Sequence, residues 1–173
     1  MIKLANDEKY VTYFPPNKHP FDPSSITINI GGASAYVNKP DCAFWGSPNN
    51  AQYGWKEWCK DNDFGEYEWN KPIVWKLKSG TKILEINWED VISQDSILEK
   101  YTYCPYKNLG LNFMLRERAL DFFKLLEDGI SAVHLIDGSI GHRFLVDNPY
   151  EMMFNSWDCD SIVVLDKTKI IFE

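Results

Sequence analysis

The chain has 173 residues, of which 45% are hydrophobic and 15% aromatic, and it carries a formal net charge of −7. That length fits one domain, residues 1–173, large enough to bury a core of its own. The acidic balance and the lack of any Lys or Arg run argue against a broad surface that tracks nucleic-acid phosphates.

Residues 11–14 form a short β-branched and aromatic run, stopped by Pro15-Pro16, and residues 15–23 hold four prolines, which predicts an extended loop. Residues 25–30 alternate as a strand does, and Gly31-Gly32 ends them. Residues 43–47 are the next strand. At Ser47-Pro48 two helix-start signals coincide, Ser as N-cap and Pro as first helical residue. Ala51, Trp55 and Trp58 then recur at i, i+4 and i+7 as an inward stripe. Residues 73–77 and 82–86, joined through Ser79-Gly80, predict a β-hairpin. The strongest helical pattern covers residues 112–127, with Leu115, Ala119, Phe122, Phe123 and Leu126 on one face and Gly129 just beyond the end. Residues 131–136 read as a buried strand leading into an Asp137-Gly138-Ser139 turn. A short helix at 149–155 precedes strands at 161–165 and 169–172. Strands outnumber helices and do not alternate regularly with them, so the class is α+β.

No stretch approaches the roughly 20 apolar residues that span a bilayer, and residues 1–10 lack the apolar centre of a signal peptide. A cytoplasmic protein without membrane association is expected. Cys42, Cys59, Cys104 and Cys159 show no CxxC spacing, so they read as buried thiols and no metal is expected. His19, His134 and His142 have neither metal-ligand spacing nor a recognised nucleophile beside them, and His134 reads as a satisfied core histidine. Gly31-Gly32 and Gly138-x-x-Gly141 are too sparse for a phosphate loop.

Two regions carry candidate chemistry. The first is Lys39-Pro40-Asp41-Cys42-Ala43-Phe44-Trp45-Gly46-Ser47-Pro48, followed by Tyr53-Gly54-Trp55-Lys56-Glu57-Trp58-Cys59. It concentrates three of the seven tryptophans beside a small-residue turn, as a pocket for a flat ligand would. The same pattern also serves a helix start above an aromatic core. The second is His142-Arg143-Phe144 with Trp157-Asp158-Cys159-Asp160-Ser161. Carboxylates and a serine at the mouth of an apolar strand suit catalysis or a ribose diol, and suit a plain turn equally. Arg143 can clamp a phosphate or pair with a surface carboxylate.

The order of these pieces resembles the ADP-ribosyltransferase catalytic domains, in the branch of the poly(ADP-ribose) polymerases and RNA 2′-phosphotransferases. Residues 42–47 resemble the strand that walls the nicotinamide pocket there, and residues 160–166 resemble the late strand that carries the catalytic acid. The chain is similar also to a group of bacterial and phage proteins sharing Lys39-Pro40, Trp45, Ser47, residues 53–59, Arg143-Phe144 and residues 157–161 in order. The resemblance implies two packed mixed or antiparallel sheets with peripheral helices. It implies NAD as co-substrate and a protein or nucleic-acid acceptor. Phe44 or Trp45 would stack on nicotinamide, with Gln52, Tyr53 or Trp55 on its other face, beside Ser47. Arg143 would hold the diphosphate, and Asp160 the ribose 2′-hydroxyl. Three departures stand out. Thr12 or Tyr13, or His19, must serve where the family has a first-strand His or Arg. Ala43 replaces an expected glycine. Ser161 aligns with the catalytic Glu, leaving Asp160 one position early, and adjacent strand residues face opposite ways. The same resemblance admits an inactive nucleotide-binding or protein-interaction module on this fold.

Overall fold

The computed structural model describes residues 1–18, 20–30, 39–40, 42–93, 95–106, 118–137, 148–154 and 156–173. Eight strands form one hydrogen-bonded sheet in the order β1-β5-β8-β9-β3-β2-β4-β10. They are β1 (Ile2–Leu4), β2 (Lys9–Thr12), β3 (Phe44–Pro48), β4 (Ile73–Leu77), β5 (Lys82–Ile86), β8 (Ile130–Leu135), β9 (Ser161–Val164) and β10 (Ile170–Phe172). A small second sheet pairs β6 (Thr102–Tyr103) with β7 (Ala119–Leu120). Four short α-helices, α1 (Trp55–Asp61), α2 (Trp88–Ile92), α3 (Ser96–Lys100) and α4 (Phe122–Glu127), lie among the described residues, with 3-10 turns at Pro16–Lys18, Pro23–Ser25, Glu151–Phe154 and Lys167–Lys169. The class is α+β, and the large sheet is mixed because β5 and β8 run parallel.

β3 belongs to two halves of that sheet. Its first three residues pair antiparallel with β9, Phe44 with Val164, Trp45 with Val163 and Gly46 with Ile162. Its last two pair with β2, Ser47 with Val11 and Pro48 with Tyr10. The halves pack face to face. Tyr10, Trp75 and Leu77 from one meet Phe44, Ile83, Ala132, Ile162 and Val164 from the other in a shared apolar cluster. The alternate residues Leu84, Ile86, Val133, Leu135, Val163 and Leu165 point to the opposite face, where the helices and Trp157 cover them. This strict alternation is the period-two rule of strands buried on both faces.

Several local expectations give way to these long-range demands. The strands at 73–77 and 82–86 form with the expected bounds but not as a hairpin. β4 pairs with β2 and β10, whereas β5 pairs with β1 and β8, so the connection crosses between the halves. The helix expected from Pro48 begins seven residues later, at Trp55, because Pro48 is taken up by β3. Residues 25–30 lack a ladder. Only the single bridge between Asn29 and Cys42 forms there, and Pro23–Ser25 is a 3-10 turn capped by Asp22. Of the helix expected at 112–127, Ala119 and Leu120 are strand, Asp121 is the N-cap and Phe122–Glu127 is helical. Residues 112–117 lie outside the described residues. Gly129 does take the left-handed conformation, φ 77°, just past the C-cap Asp128.

Candidate functional site

β3, β2, α1 and the segment leading into β9 enclose a cavity of about 410 Å³, lined among others by Thr12, Tyr13, Lys39, Phe44, Trp45, Ser47, Trp55, Tyr67, Ser156, Asp158, Cys159 and Ser161. That volume suits a drug-sized ligand, and the make-up, aromatic walls with a few polar groups, is that of small-molecule sites. The floor comes from β3 and β9, whose pairing runs to Gly46 with Ile162, and Ser47 and Ser161, next along each strand, both line the cavity. Gly46 allows this crossing. A Cβ there would lie 2.7 Å from the Trp75 ring and 2.9 Å from the Val11 carbonyl oxygen.

Each polar group of the floor has a partner. The Ser47 hydroxyl accepts the Trp55 N–H at 2.9 Å, so Ser47 does serve the helix start, but from across space. Ser161 donates to the Cys159 carbonyl at 2.8 Å, with the Cys159 Sγ 3.2 Å from its Oγ. Burial pushes the Cys159 thiol up to about 11, against the hydrogen bonds from Ser161 and Ser47, so at neutral pH it is a protonated thiol and not a nucleophile. Thr12 Oγ1 donates to the Trp45 carbonyl and accepts the Trp75 indole N–H at 2.9 Å. Lys39 lies over the Trp45 ring, 5.2 Å from its centroid, and its own amine pKa is drawn down by burial, against the pull of Asp158 and Cys159. Lys39 and Asp158 thus place one ammonium and one carboxylate on a lining whose other residues are aromatic, aliphatic or neutral polar.

No family model, curated protein or solved structure matches this chain. What the site can do therefore rests on its own geometry.

The fold brings together most of the residues singled out from sequence. Thr12, Tyr13, Phe44, Trp45, Ser47, Trp55 and Ser161 all line the one cavity. Two do not. Tyr53 is absent from the wall; its hydroxyl bonds to Asp61, and its carbonyl accepts the Asp160 N–H at 3.1 Å. Asp160, expected to reach a ribose hydroxyl, faces the interior between the sheet halves. The register Leu135 with Ser161 and His134 with Ile162 sets Asp160 on the His134 side, and its carboxylate lies 2.7 Å from His134 Nε2. Arg143, like His19 and His142, lies outside the described residues. Asp158, one of the two carboxylates expected at the mouth of β9, lines the cavity, as do Cys159, expected only as a buried thiol, and Lys39, which had no expected role. Among the described residues no three His, Cys, Asp or Glu side chains converge on a metal-sized site, and no helix is long and apolar enough to cross a membrane.

Beneath the cavity floor runs a charge network, buried at His134 and Asp160 and half-buried at Glu85, Lys3 and Glu8. His134 Nδ1 lies 3.5 Å from Glu85, close enough for charge attraction but without hydrogen-bond geometry. Lys3 bridges Glu85 at 3.0 Å and Glu8 at 3.3 Å, and the Tyr10 hydroxyl donates to Glu8 at 3.1 Å. Burial alone would lower the His134 pKa, but Asp160 and Glu85 raise it to about 9. The neighbouring His134 imidazolium and the hydrogen bond from Lys3 hold Glu85 at about 2, against the opposing pull of burial. His134 is ordinarily half-protonated at 6.5, so its contribution to stability is complete below about pH 6.5 and is lost as pH rises through about 9. Glu85, ordinarily at 4.5, contributes fully above about pH 4.5 and loses that contribution as pH falls towards about 2. Thermal melts at fixed ionic strength are expected to show a stability plateau between those limits, falling on both sides. A midpoint that climbs from pH 6.5 to 9 would contradict a charged His134.

Proposed function

We propose that the protein is an ADP-ribosyltransferase-like module that binds an NAD-type nucleotide in this cavity, with recognition as its output. The observation that carries the reading is the face presented by β9. Ser161 opens into the aromatic cavity, while Asp160, the acid of the resemblance, is turned away and committed to His134. Trp45 and Trp55 supply ring faces for the nicotinamide or adenine, and Lys39 supplies a charge for a phosphate. Among the described residues no histidine or carboxylate is hydrogen-bonded to Ser161, so its hydroxyl has no base to activate it.

Titration calorimetry with NAD, ADP-ribose and nicotinamide tests this directly. Saturable binding is expected, weakened about tenfold by Trp55→Ala, the loss of one stacked ring. An absence of heat and of any tryptophan fluorescence change with all three ligands would end the nucleotide reading.

The carboxylate of Asp158 on the cavity wall favours a second reading, transfer. In that reaction the C1′–nitrogen bond to nicotinamide breaks, and nicotinamide leaves neutral with the bonding pair. The nucleophile of a protein or nucleic-acid acceptor then bonds to C1′ and gives up its proton to solvent. Asp158 would bind the ribose and stabilise the oxocarbenium-like charge. Release of labelled nicotinamide that Asp158→Asn abolishes would establish transfer over recognition.

A further inference from the structure

A second aromatic assembly stands outside both apolar cores. Tyr13, Trp55, Trp58, Phe64, Tyr67 and Trp69 join ring to ring, with neighbouring centroids 5.0 to 6.0 Å apart. None belongs to either core cluster, and none is fully buried; Phe64 is 48% exposed. Trp55 and Trp58, one helical turn apart on α1, stack at 14°, and the turn after α1 folds Phe64 back onto both. Tyr13, Trp55 and Tyr67 also line the cavity, so this shelf runs outward from the cavity wall to Phe64. Ring surface held partly in water in this amount marks an interaction site.

The charges along the shelf select the partner. Asp61, Asp63 and Glu66 are exposed around the turn that carries Phe64, against a single exposed cation there, Lys60. Asp61 also takes the Tyr53 hydroxyl bond. The protein itself shows how such rings receive cations, for the Lys56 ammonium lies 5.9 Å above the Tyr13 ring centroid. We propose that the shelf docks a cationic peptide segment, with Lys or Arg groups resting on the exposed rings and pairing with Asp63 and Glu66, and with apolar residues between them. A single strand of nucleic acid could stack on the same rings. Its phosphates, however, would face these carboxylates and a net charge of −7. The assignment stands apart from the nucleotide reading, and its test uses no nucleotide.

The intact protein is titrated into three dye-labelled probes, followed by anisotropy: a peptide of alternating Arg and Leu, the same peptide with Glu for Arg, and a single-stranded oligonucleotide. The Arg peptide is expected to bind saturably, more weakly as salt rises, with the other two silent. Phe64→Ala and, separately, the pair Asp63→Asn and Glu66→Gln should each weaken it about tenfold. Asparagine accepts the positive φ of Asp63, 49°. An unchanged unfolding midpoint confirms that these exposed turn variants keep the fold. No binding, equal binding by the variants, or preference for the oligonucleotide would each overturn the proposal.

Discussion

Replacing His134 by alanine is expected to destabilise the protein by about 3–5 kcal/mol, the cost of stranding buried charge without its partner. His134 is 4% exposed and Asp160 8%, and the imidazole stands between the carboxyl groups of Asp160, 2.7 Å away, and Glu85, 3.5 Å away. Loss of the imidazole leaves Glu85 with Lys3, but Asp160 with no described cation. Against a typical total of about 5–15 kcal/mol, this is a large fraction of the stability. Urea unfolding of His134→Ala measures it. Adding Asp160→Asn to that variant should recover part of the loss, because the stranded charge is then gone. A cost for His134→Ala below about 1 kcal/mol would show that the pair is not the buried ion pair described.

Trp75→Ala is expected to cost about 3–5 kcal/mol as well, by a different route. The side chain is fully buried between the sheet halves, with ring centroids 4.9 Å from Tyr10 and 5.1 Å from Phe44. Its removal opens a void on β4 directly behind the strand crossing. Gly46 supplies a sharper test of the same contact. In the native protein Gly46→Ala should cost about 1–3 kcal/mol through overpacking, since its Cβ would meet the Trp75 ring at 2.7 Å. In the Trp75→Ala background that collision disappears, and only the approach to the Val11 carbonyl oxygen at 2.9 Å remains. The two substitutions should therefore be strongly non-additive, the double variant losing less than the sum. Full additivity in denaturant unfolding would mean that the glycine is needed for some other reason.

Most strands of the large sheet were legible in the sequence because they are apolar on both faces or sharply bounded, whereas β1, β6 and β7 were not, and residues 25–30 alternate without building a ladder. Thus β4 and β5 were found with their exact limits, and β3, β8, β9 and β10 to within a residue or two. Their pairing was not legible. Ser79-Gly80 reads as a hairpin turn locally, and whether two neighbouring strands pair or part is decided by Trp75 and Ile83 packing across the sandwich. The start of α1 failed for a related reason. Ser47-Pro48 is a sound N-terminal signal, yet backbone pairing with Val11 and Tyr10 claims those residues, and only the hydroxyl remains for the helix. Helices α2 and α3 were missed although Asn87 with Asp90, and Asp95, are good caps; at five residues each they are too short to show a period. At the site, the pairing of residues 44–46 with β9 placed most candidates around one cavity. The choice between Asp160 and Ser161 needed a register, and a register is set by partners that no single strand reveals.

Because β3 is shared, its two neighbours arrive at very different times during synthesis. β2 is made first, but β9 lies more than a hundred residues downstream of β3, and β10, which closes the other edge against β4, comes later still. Until β9 has left the ribosome, the nascent chain carries Phe44 and Trp45 on an unpaired edge, and the cavity has no floor. Such distant closure slows folding and leaves the aromatic edge open to wrong partners, so chaperone demand should concentrate on this one strand.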